Sequence, residues 1–531
     1  LPVSFTSSKR AAGAEVPLAE PAWRAQGWAA VPVPPIPSPY RPETPILELG
    51  DAFYDPVEPA DFPRTILRFR NDRWAEAVGL GDLAGDGWVR HFGRFDPLPD
   101  NLARPLALRY HGHQFRVYNP DIGDGRGFLF AQLRDGADRL LDLGTKGSGQ
   151  TPYSRFGDGR LTLKGGVREV LATEMLEALG VETSKSFSLI ETGEALERND
   201  EPSPTRSAVL VRLQHSHIRI GTFQRLAYFQ LADEMRTLTD YCLRHYYPDK
   251  RGRHCEERSD AAIQTGASDQ PGTGLLRSAR NNELEIEPAR LLAHVAREAA
   301  RLAASYIAAG FVHGVLNSDN IAITAQSFDY GPWRFTPFWD GAFTAAYFDH
   351  AGLYSFGRQP EAIHWDVVQL AASLRTIAEA EVLTPALEAF PAEFQRRLVT
   401  AIFARLGIRP SGDEARDSAL LVALETALAA KSVEIDRFFF DWRGGRRRGP
   451  SPADEAYAAE PFSEFRTAVE SFAPAAGAID HPYWSDERPC SMHIDEVEAI
   501  WSRIDEADDW VPFQDKIAAI RRMGEAMQPP A

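Results

Sequence analysis

The sequence predicts a mixed α/β (α+β) fold in two lobes, followed by a helical C-terminal extension. Three observations predict it. Between residues 104 and 220, short apolar runs are separated by glycine turns, the pattern of paired strands. From Trp365 onward apolar residues recur mostly at helical spacing. Between these regions stands a loop dense in acids and amides, His313-Gly-Val-Leu-Asn-Ser-Asp319-Asn320, followed by Asp329-Tyr-Gly331.

Residues 1–45 are rich in Pro and Ala, with seven prolines from Pro32 to Pro45. Such a segment sustains neither a helix nor a central strand and reads as an extended, partly disordered lead-in, with folding starting near Leu47. The first lobe is expected over 46–220. In it Gly123-Asp-Gly125-Arg126-Gly127 precedes the strand Phe128–Leu133, Asp135-Gly136 marks a turn, and Leu140–Lys146 is the returning strand. Val167–Leu179 has helical apolar spacing, with Gly180 where a C-terminal cap belongs. Ser207–Leu213 is a further strand.

The second lobe is expected over 221–440, mostly helical and carrying the acidic loop. Within it 248–285 is polar and aperiodic, which reads as a disordered insertion. A helix over Glu287–Gly310 then leads into the His313 loop. Further helices are predicted at Val367–Ile377, Ala392–Leu406 and Ser418–Phe440. Residues 441–531 form the extension, ending in one short helix after Phe513.

Composition narrows the function classes. The chain has 531 residues and a net charge of −17, the wrong sign for a partner with a nucleic-acid backbone. Three cysteines, Cys242, Cys255 and Cys490, form no CxxC pair and point to a reducing compartment. No window is long and apolar enough for a membrane span, and the first residues lack the apolar core of a signal peptide. The expected location is cytoplasmic, with no membrane and no nucleic acid as partner.

The acidic loop has the chemistry of a magnesium-nucleotide site: one carboxylate to orient or deprotonate a nucleophile, an amide and a second carboxylate to hold the metal. The order of the other parts is that of a protein-kinase-like fold. A glycine turn comes first, because backbone N–H groups then reach phosphate oxygens unobstructed. The strand lysine Lys146 follows, to neutralise phosphate charge. Glu169 comes next, on a helix face shared with Ala172, Thr173 and Leu176, to position that lysine. Asp319, Asn320 and Asp329 come last. Asp319 and Asn320 are adjacent and Asp329 comes early, which departs from an ordinary kinase signature.

The chain resembles the selenoprotein O family of kinase-fold protein adenylyltransferases. The resemblance runs over roughly residues 50–440 outside the insertion. It is carried by Tyr110-His-Gly-His-Gln-Phe115, Gly123-Asp-Gly-Arg126, Lys146-Gly-Ser-Gly, Thr151-Pro-Tyr-Ser-Arg-Phe156, Asp158-Gly-Arg160, Arg168-Glu169, Arg212 with Arg219, His313-Gly-Val to Asp319-Asn320, Asp329-Tyr-Gly-Pro332 and Gln359-Pro360. It implies that Gly123, Gly125, Arg126, Lys146, Asp158, Gly159, Arg212, Arg219 and Asp329 contact the nucleotide, that Asp319 is the catalytic acid or base, and that Asn320 and Asp329 hold Mg²⁺ or Mn²⁺. It implies further that ATP sits reversed relative to a kinase, so that AMP passes to Ser, Thr or Tyr hydroxyls of proteins, the chain itself among them. Three guanidiniums plus Lys146 fit a buried triphosphate tail, since Arg forks bind phosphate oxygens in pairs. A conventional kinase transferring the γ-phosphate and a silent nucleotide-binding pseudokinase scaffold are the alternatives.

The chain departs from the family's common residues at Leu353, Arg358 and Asp366, outside the core constellation, and its last stretch lacks the family's cysteine or selenocysteine. His111-x-His113 and His215-x-His217 lack an evident third ligand, whereas catalytic zinc takes three protein ligands. The basic run Arg443–Arg448 reads as a solvated loop.

Overall fold

The computed structural model describes residues 35–199, 201–248 and 273–528. The expected lead-in lies outside them up to residue 34. Of the expected insertion, 249–272 also lies outside.

Among the described residues thirteen strands run in chain order: β1 (Pro42–Glu43), β2 (Tyr54–Pro56), β3 (Ile66–Arg70), β4 (Leu106–Leu108), β5 (Gly112–Gln114), β6 (Val117–Asn119), β7 (Leu129–Arg134), β8 (Leu140–Lys146), β9 (Leu161–Thr162), β10 (Lys185–Leu196), β11 (Thr205–Gln214), β12 (Phe311–Val312) and β13 (Arg334–Phe335). Nine form one antiparallel sheet in the order β2-β4-β7-β8-β11-β10-β3, with β1 on β7 and β9 on β11. The β7–β8 hairpin matches the sequence reading. Asp135 shapes its turn by accepting hydrogen bonds from the backbone N–H groups of Ala137 and Arg139.

Both faces of the sheet are covered, because side chains alternate along each strand. On one face Leu141, Leu143, Val209, Val211 and Phe187 pack with Trp88 and Phe92 of the helix Gly85–Gly93. On the other, Leu140, Leu189 and Leu210 pack with the helix Leu163–Ala178. β8 and β11 pair with Leu210 opposite Lys146 and Arg212 opposite Gly144. Lys146 and Gly144 are two apart, so Lys146 and Arg212 project from the same face, toward that helix. Gly144 leaves room there: a Cβ on it would come 1.8 Å from His217 Nε2.

The helix Leu163–Ala178 starts earlier than its apolar spacing indicated. Thr162 caps it by accepting from Gly165 N at 3.1 Å. Its expected division into an apolar face and a Glu169 face does not hold. Every residue from Gly166 to Ala178 is buried, because the C-terminal extension returns onto its outer side. Arg521 grips Glu174 at 2.8 and 2.9 Å, and Lys164 reaches Glu498 at 2.7 Å.

Other boundaries shift. The helix expected from Glu287 runs Thr273–Ala309 and so begins inside the expected insertion. Gln359–Leu374 starts at Gln359, with Pro360 in its first turn, where the missing N–H costs nothing. The helix expected over Ser418–Phe440 is two, Glu414–Ala429 and Ile435–Asp441, broken where Lys431 takes a left-handed φ of 52°. The extension's last helix is Val511–Met527. The Arg443–Arg448 run is not a solvated loop throughout. Arg443 is buried and donates to the carbonyls of Ala478, Ala404 and Arg405, stitching the extension to the helix Phe390–Leu406. Among the described residues no helix is long and apolar enough to cross a membrane.

Candidate active site

A cleft of about 860 Å³ opens where the end of β8, the glycine turn before β7 and the Asp319 loop converge. Gly123, Gly125 and Arg126 line it from the turn, Lys146 and Arg212 from β8 and β11, Asp158 and Gly159 from the loop after β8, and Arg219, Asp319 and Asp329 from the remaining side. Of the residues singled out in the sequence, Glu169 stands behind Lys146 rather than in the wall. Asn320 neighbours Asp319 in the short turn Ser318–Asn320 without lining the cleft.

The glycines of the turn are explained by close packing. A Cβ on Gly127 would meet Thr145 O at 2.0 Å, and one on Gly123 would enter the Tyr153 ring at 2.5 Å. The loop after β8 clamps this turn: Ser154 Oγ donates to Gly125 O at 2.5 Å and Thr151 Oγ1 donates to Asp124 O. Gly159 takes a φ of +72° and a Cβ there would strike Gly149. Asp158 pairs with Arg198 at 2.8 Å, and its side chain is half exposed at the cleft.

Behind the glycines lies a buried quartet of charges. Lys146 Nζ sits 2.6 Å from Glu169 Oε2 and 2.5 Å from Asp329 Oδ1. Arg212 Nη1 reaches Glu169 Oε1 at 3.2 Å and Asp329 Oδ1 at 3.5 Å. Two cations thus alternate with two carboxylates. Glu169 is fully buried, while the Asp329 side chain is 31% exposed, toward the cleft. Burial opposes the charge on Asp329, but Lys146, then Arg212 and Arg126, override it and hold its carboxyl well below the usual carboxylate range. Asp329 has a φ of 65°, a backbone state uncommon outside glycine and found at functional loops. Its neighbours fix it there. His313 Nε2 donates to Phe328 O at 3.0 Å, and Arg168 Nη2 donates to Trp333 O at 3.2 Å.

Asp319 is held from both sides. Arg219 Nη1 donates to its backbone carbonyl at 3.0 Å, and Arg219 Nη2 donates to Asp124 Oδ1 at 2.9 Å. The β5–β6 hairpin grips the residues before it. His113 N donates to Ser318 Oγ at 2.8 Å, Ser318 Oγ donates to Gln224 Oε1 at 2.6 Å, and Phe115 N donates to Asn317 Oδ1 at 3.0 Å. Burial, opposed by Arg219, pushes the Asp319 carboxyl up to about 6. Its Oδ1 is buried without a hydrogen-bond partner among the described residues, which leaves it free to take a proton. Asn320 Nδ2 donates to Val315 O at 3.0 Å, which leaves Oδ1 as the amide's free end among the described residues. Oxygen donors from Asn320 and Asp329 suit Mg²⁺ or Mn²⁺ and not a soft ion.

Sequence reasoning missed three members. Asp124 is the ion-pair partner of Arg219, and its position between two glycines was the available signal. Tyr110 and Phe328 both present their rings to the Arg219 guanidinium, 4.2 and 4.7 Å from the ring centroids. Nothing local marks Phe328 for that role.

Comparison with known proteins bears on this geometry. A family model described as "Protein adenylyltransferase SelO" matches residues 39–521. The chain belongs to the SelO family. That membership makes it an enzyme of the nucleotidyltransferase class. Among its relatives, a protein named "Protein nucleotidyltransferase YdiU" from Synechocystis sp. is 40% identical over 498 residues, covering 90% of this chain and 97% of the relative. The protein of the same name from Gloeobacter violaceus is 40% identical over 490 residues, covering 89% and 93%. That from Synechococcus elongatus is 44% identical over 410 residues, covering 76% and 75%.

Proposed function

We propose that this SelO-family chain transfers AMP from ATP to the Ser, Thr or Tyr hydroxyls of proteins, itself among the acceptors, with Mg²⁺ or Mn²⁺. The underlying arrangement is a bilobal, protein-kinase-like one, with lobes at 46–220 and 221–440 and the extension at 441–531. Its compartment is the cytoplasm, in keeping with sparse cysteines that form no disulfide among the described residues.

The observation that carries the reading is the depth of the cations. Lys146, Arg212 and Arg219 are each no more than 5% exposed, yet all three line the cleft that holds Asp319. A kinase leaves the γ-phosphate at the cleft mouth, near the acceptor. Cations this deep suit the β- and γ-phosphates as a buried leaving group, with the α-phosphorus outermost, facing Asp319. Gly123, Gly125 and Arg126 then approach the phosphates, while Asp158 and Gly159 contact the nucleotide. Glu169 holds Lys146 in place.

The acceptor oxygen attacks the α-phosphorus in line. The bond from that phosphorus to the α–β bridging oxygen breaks, and diphosphate leaves with the electron pair. The hydroxyl proton passes to the Asp319 carboxylate, whose raised proton affinity suits a base working near neutrality. Asn320 and Asp329 would hold the divalent cation, which when bound neutralises charge on the phosphates.

The test is incubation with ATP labelled on the α- or the γ-phosphate, with manganese and an acceptor protein. Label from α-labelled ATP, with a mass gain of one AMP and loss of signal in Asp319→Asn, is expected. Label from γ-labelled ATP alone would make the chain a kinase. Nucleotide binding without either label would make it a scaffold.

A further inference from the structure

The cations of the cleft fall into two groups. Lys146, Arg212 and Arg219 are all paired with carboxylates. Arg126 and Arg155 also line the cleft, but neither guanidinium has a hydrogen bond or ion pair among the described residues. Both share the lining of that cleft with Asp319 and Asp329. Asp329 feels Arg126, together with Lys146 and Arg212. Asp319 feels Arg155, together with the deeper Arg219.

Arg155 is also presented in an unusual way. It is exposed and has a left-handed φ of 54°, a backbone state that residues other than glycine rarely adopt. The loop around it is nevertheless pinned. Tyr153 OH donates to Asp55, Ser154 Oγ donates to Gly125 O at 2.5 Å, Gly157 N donates to Ser154 O at 2.8 Å, and Gln150 Nε2 donates to Gly157 O at 2.8 Å. A rigid loop thus holds one unpaired guanidinium, in a strained backbone state, in the wall of the cleft that Asp319 also lines. An arginine merely solvated at the surface needs neither the strain nor the clamp.

We propose that Arg155 is a further catalytic residue: its guanidinium contacts the non-bridging oxygens of the α-phosphorus as the acceptor hydroxyl attacks. This rests on the AMP-transfer reading above. The paired cations hold the diphosphate portion before and after the step. Arg155, unpaired, neutralises the charge that gathers on the transferring phosphoryl group in the transition state. No bond beyond those already described is made or broken. Contacts of this kind, made in the transition state and weak in the ground state, raise kcat and leave KM nearly unchanged.

The experiment measures AMP transfer from α-labelled ATP at saturating acceptor by Arg155→Ala and Arg155→Lys, with ATP binding measured separately. Removing one preorganised donor to developing charge lowers kcat by about 100-fold or more. Arg155→Ala should show that loss with KM for ATP within threefold of wild type, and millimolar guanidinium ion should restore part of its rate. Arg155→Lys should recover only partially, because an ammonium lacks the planar fork. A kcat within threefold of wild type in either variant overturns the assignment. So does a loss carried by KM, or a loss that guanidinium does not rescue, since a structural role gives those results. A wild-type protein that takes no label from α-labelled ATP is a distinguishable failure: it removes the AMP-transfer reading and the role of Arg155 with it.

Discussion

Glu169→Gln keeps the shape of the side chain and deletes its charge. The wild-type carboxylate is fully buried and serves two cations, Lys146 at 2.6 Å and Arg212 at 3.2 Å. After the substitution those cations share only Asp329, which is partly exposed. The glutamine can offer one neutral oxygen, but its amide N–H groups then face a positive charge. Each charge-assisted hydrogen bond lost costs about 1.5–3 kcal/mol, and removing one partner of a buried ion pair costs about 3–5 kcal/mol in all. Glu169→Gln should therefore destabilise the protein by about 3–5 kcal/mol, read as a shift in the urea unfolding midpoint at unchanged slope. Turnover should fall by more than tenfold, about 1.4 kcal/mol, because Lys146 loses the group that aims it. A double-mutant cycle with Lys146→Met isolates the pair and should return a coupling of about 1–3 kcal/mol. Stability within about 0.5 kcal/mol of wild type, together with unchanged turnover, would refute the reasoning that this quartet organises the cleft.

Asp329→Ala should abolish transfer while the fold remains, as judged by circular dichroism; activity that survives it, or that persists in excess chelator, would remove the proposed metal ligand. Asp366 is buried with both carboxylate oxygens unpartnered among the described residues, and burial, then the nearby Asp319 carboxyl, push it well above the ordinary range against the pull of Arg116. A raised folded-state value means that its contribution to stability is present below about pH 4 and is lost as pH rises through the raised value. Asp366→Asn should accordingly match wild type in thermal midpoint near pH 4 and exceed it increasingly toward pH 8; equal midpoints at every pH would show that the carboxylate has found a partner. Gly127→Ala drives a methyl to 2.0 Å from Thr145 O, so it should open the junction of the glycine turn with β8 and raise KM for ATP at least tenfold. Gly85→Ala meets nothing within 4 Å and should leave both stability and KM near wild type.

Local patterning determined much of this protein. The β7–β8 hairpin, the existence of the helix carrying Glu169 and the order from glycine turn to Asp329 were all legible, because alternation, helical spacing and turn residues are written within a few residues of one another. The Lys146–Glu169 pairing was legible too, as a chemical need that the order of parts could meet. Tertiary structure alone decided the rest. Helical spacing assigned Glu169 a face of its own, yet the helix is buried all round because Arg521 returns to Glu174 across 347 residues. The break at Lys431 carries no glycine or proline signal, and Arg443 in a basic run is buried by carbonyls from distant segments. Asp124, Tyr110 and Phe328 meet Arg219 only once distant segments have folded together. Periodicity reports which side chains leave water; it does not report which distant partner meets them there, and in a buried charge network the identity of that partner sets the energy.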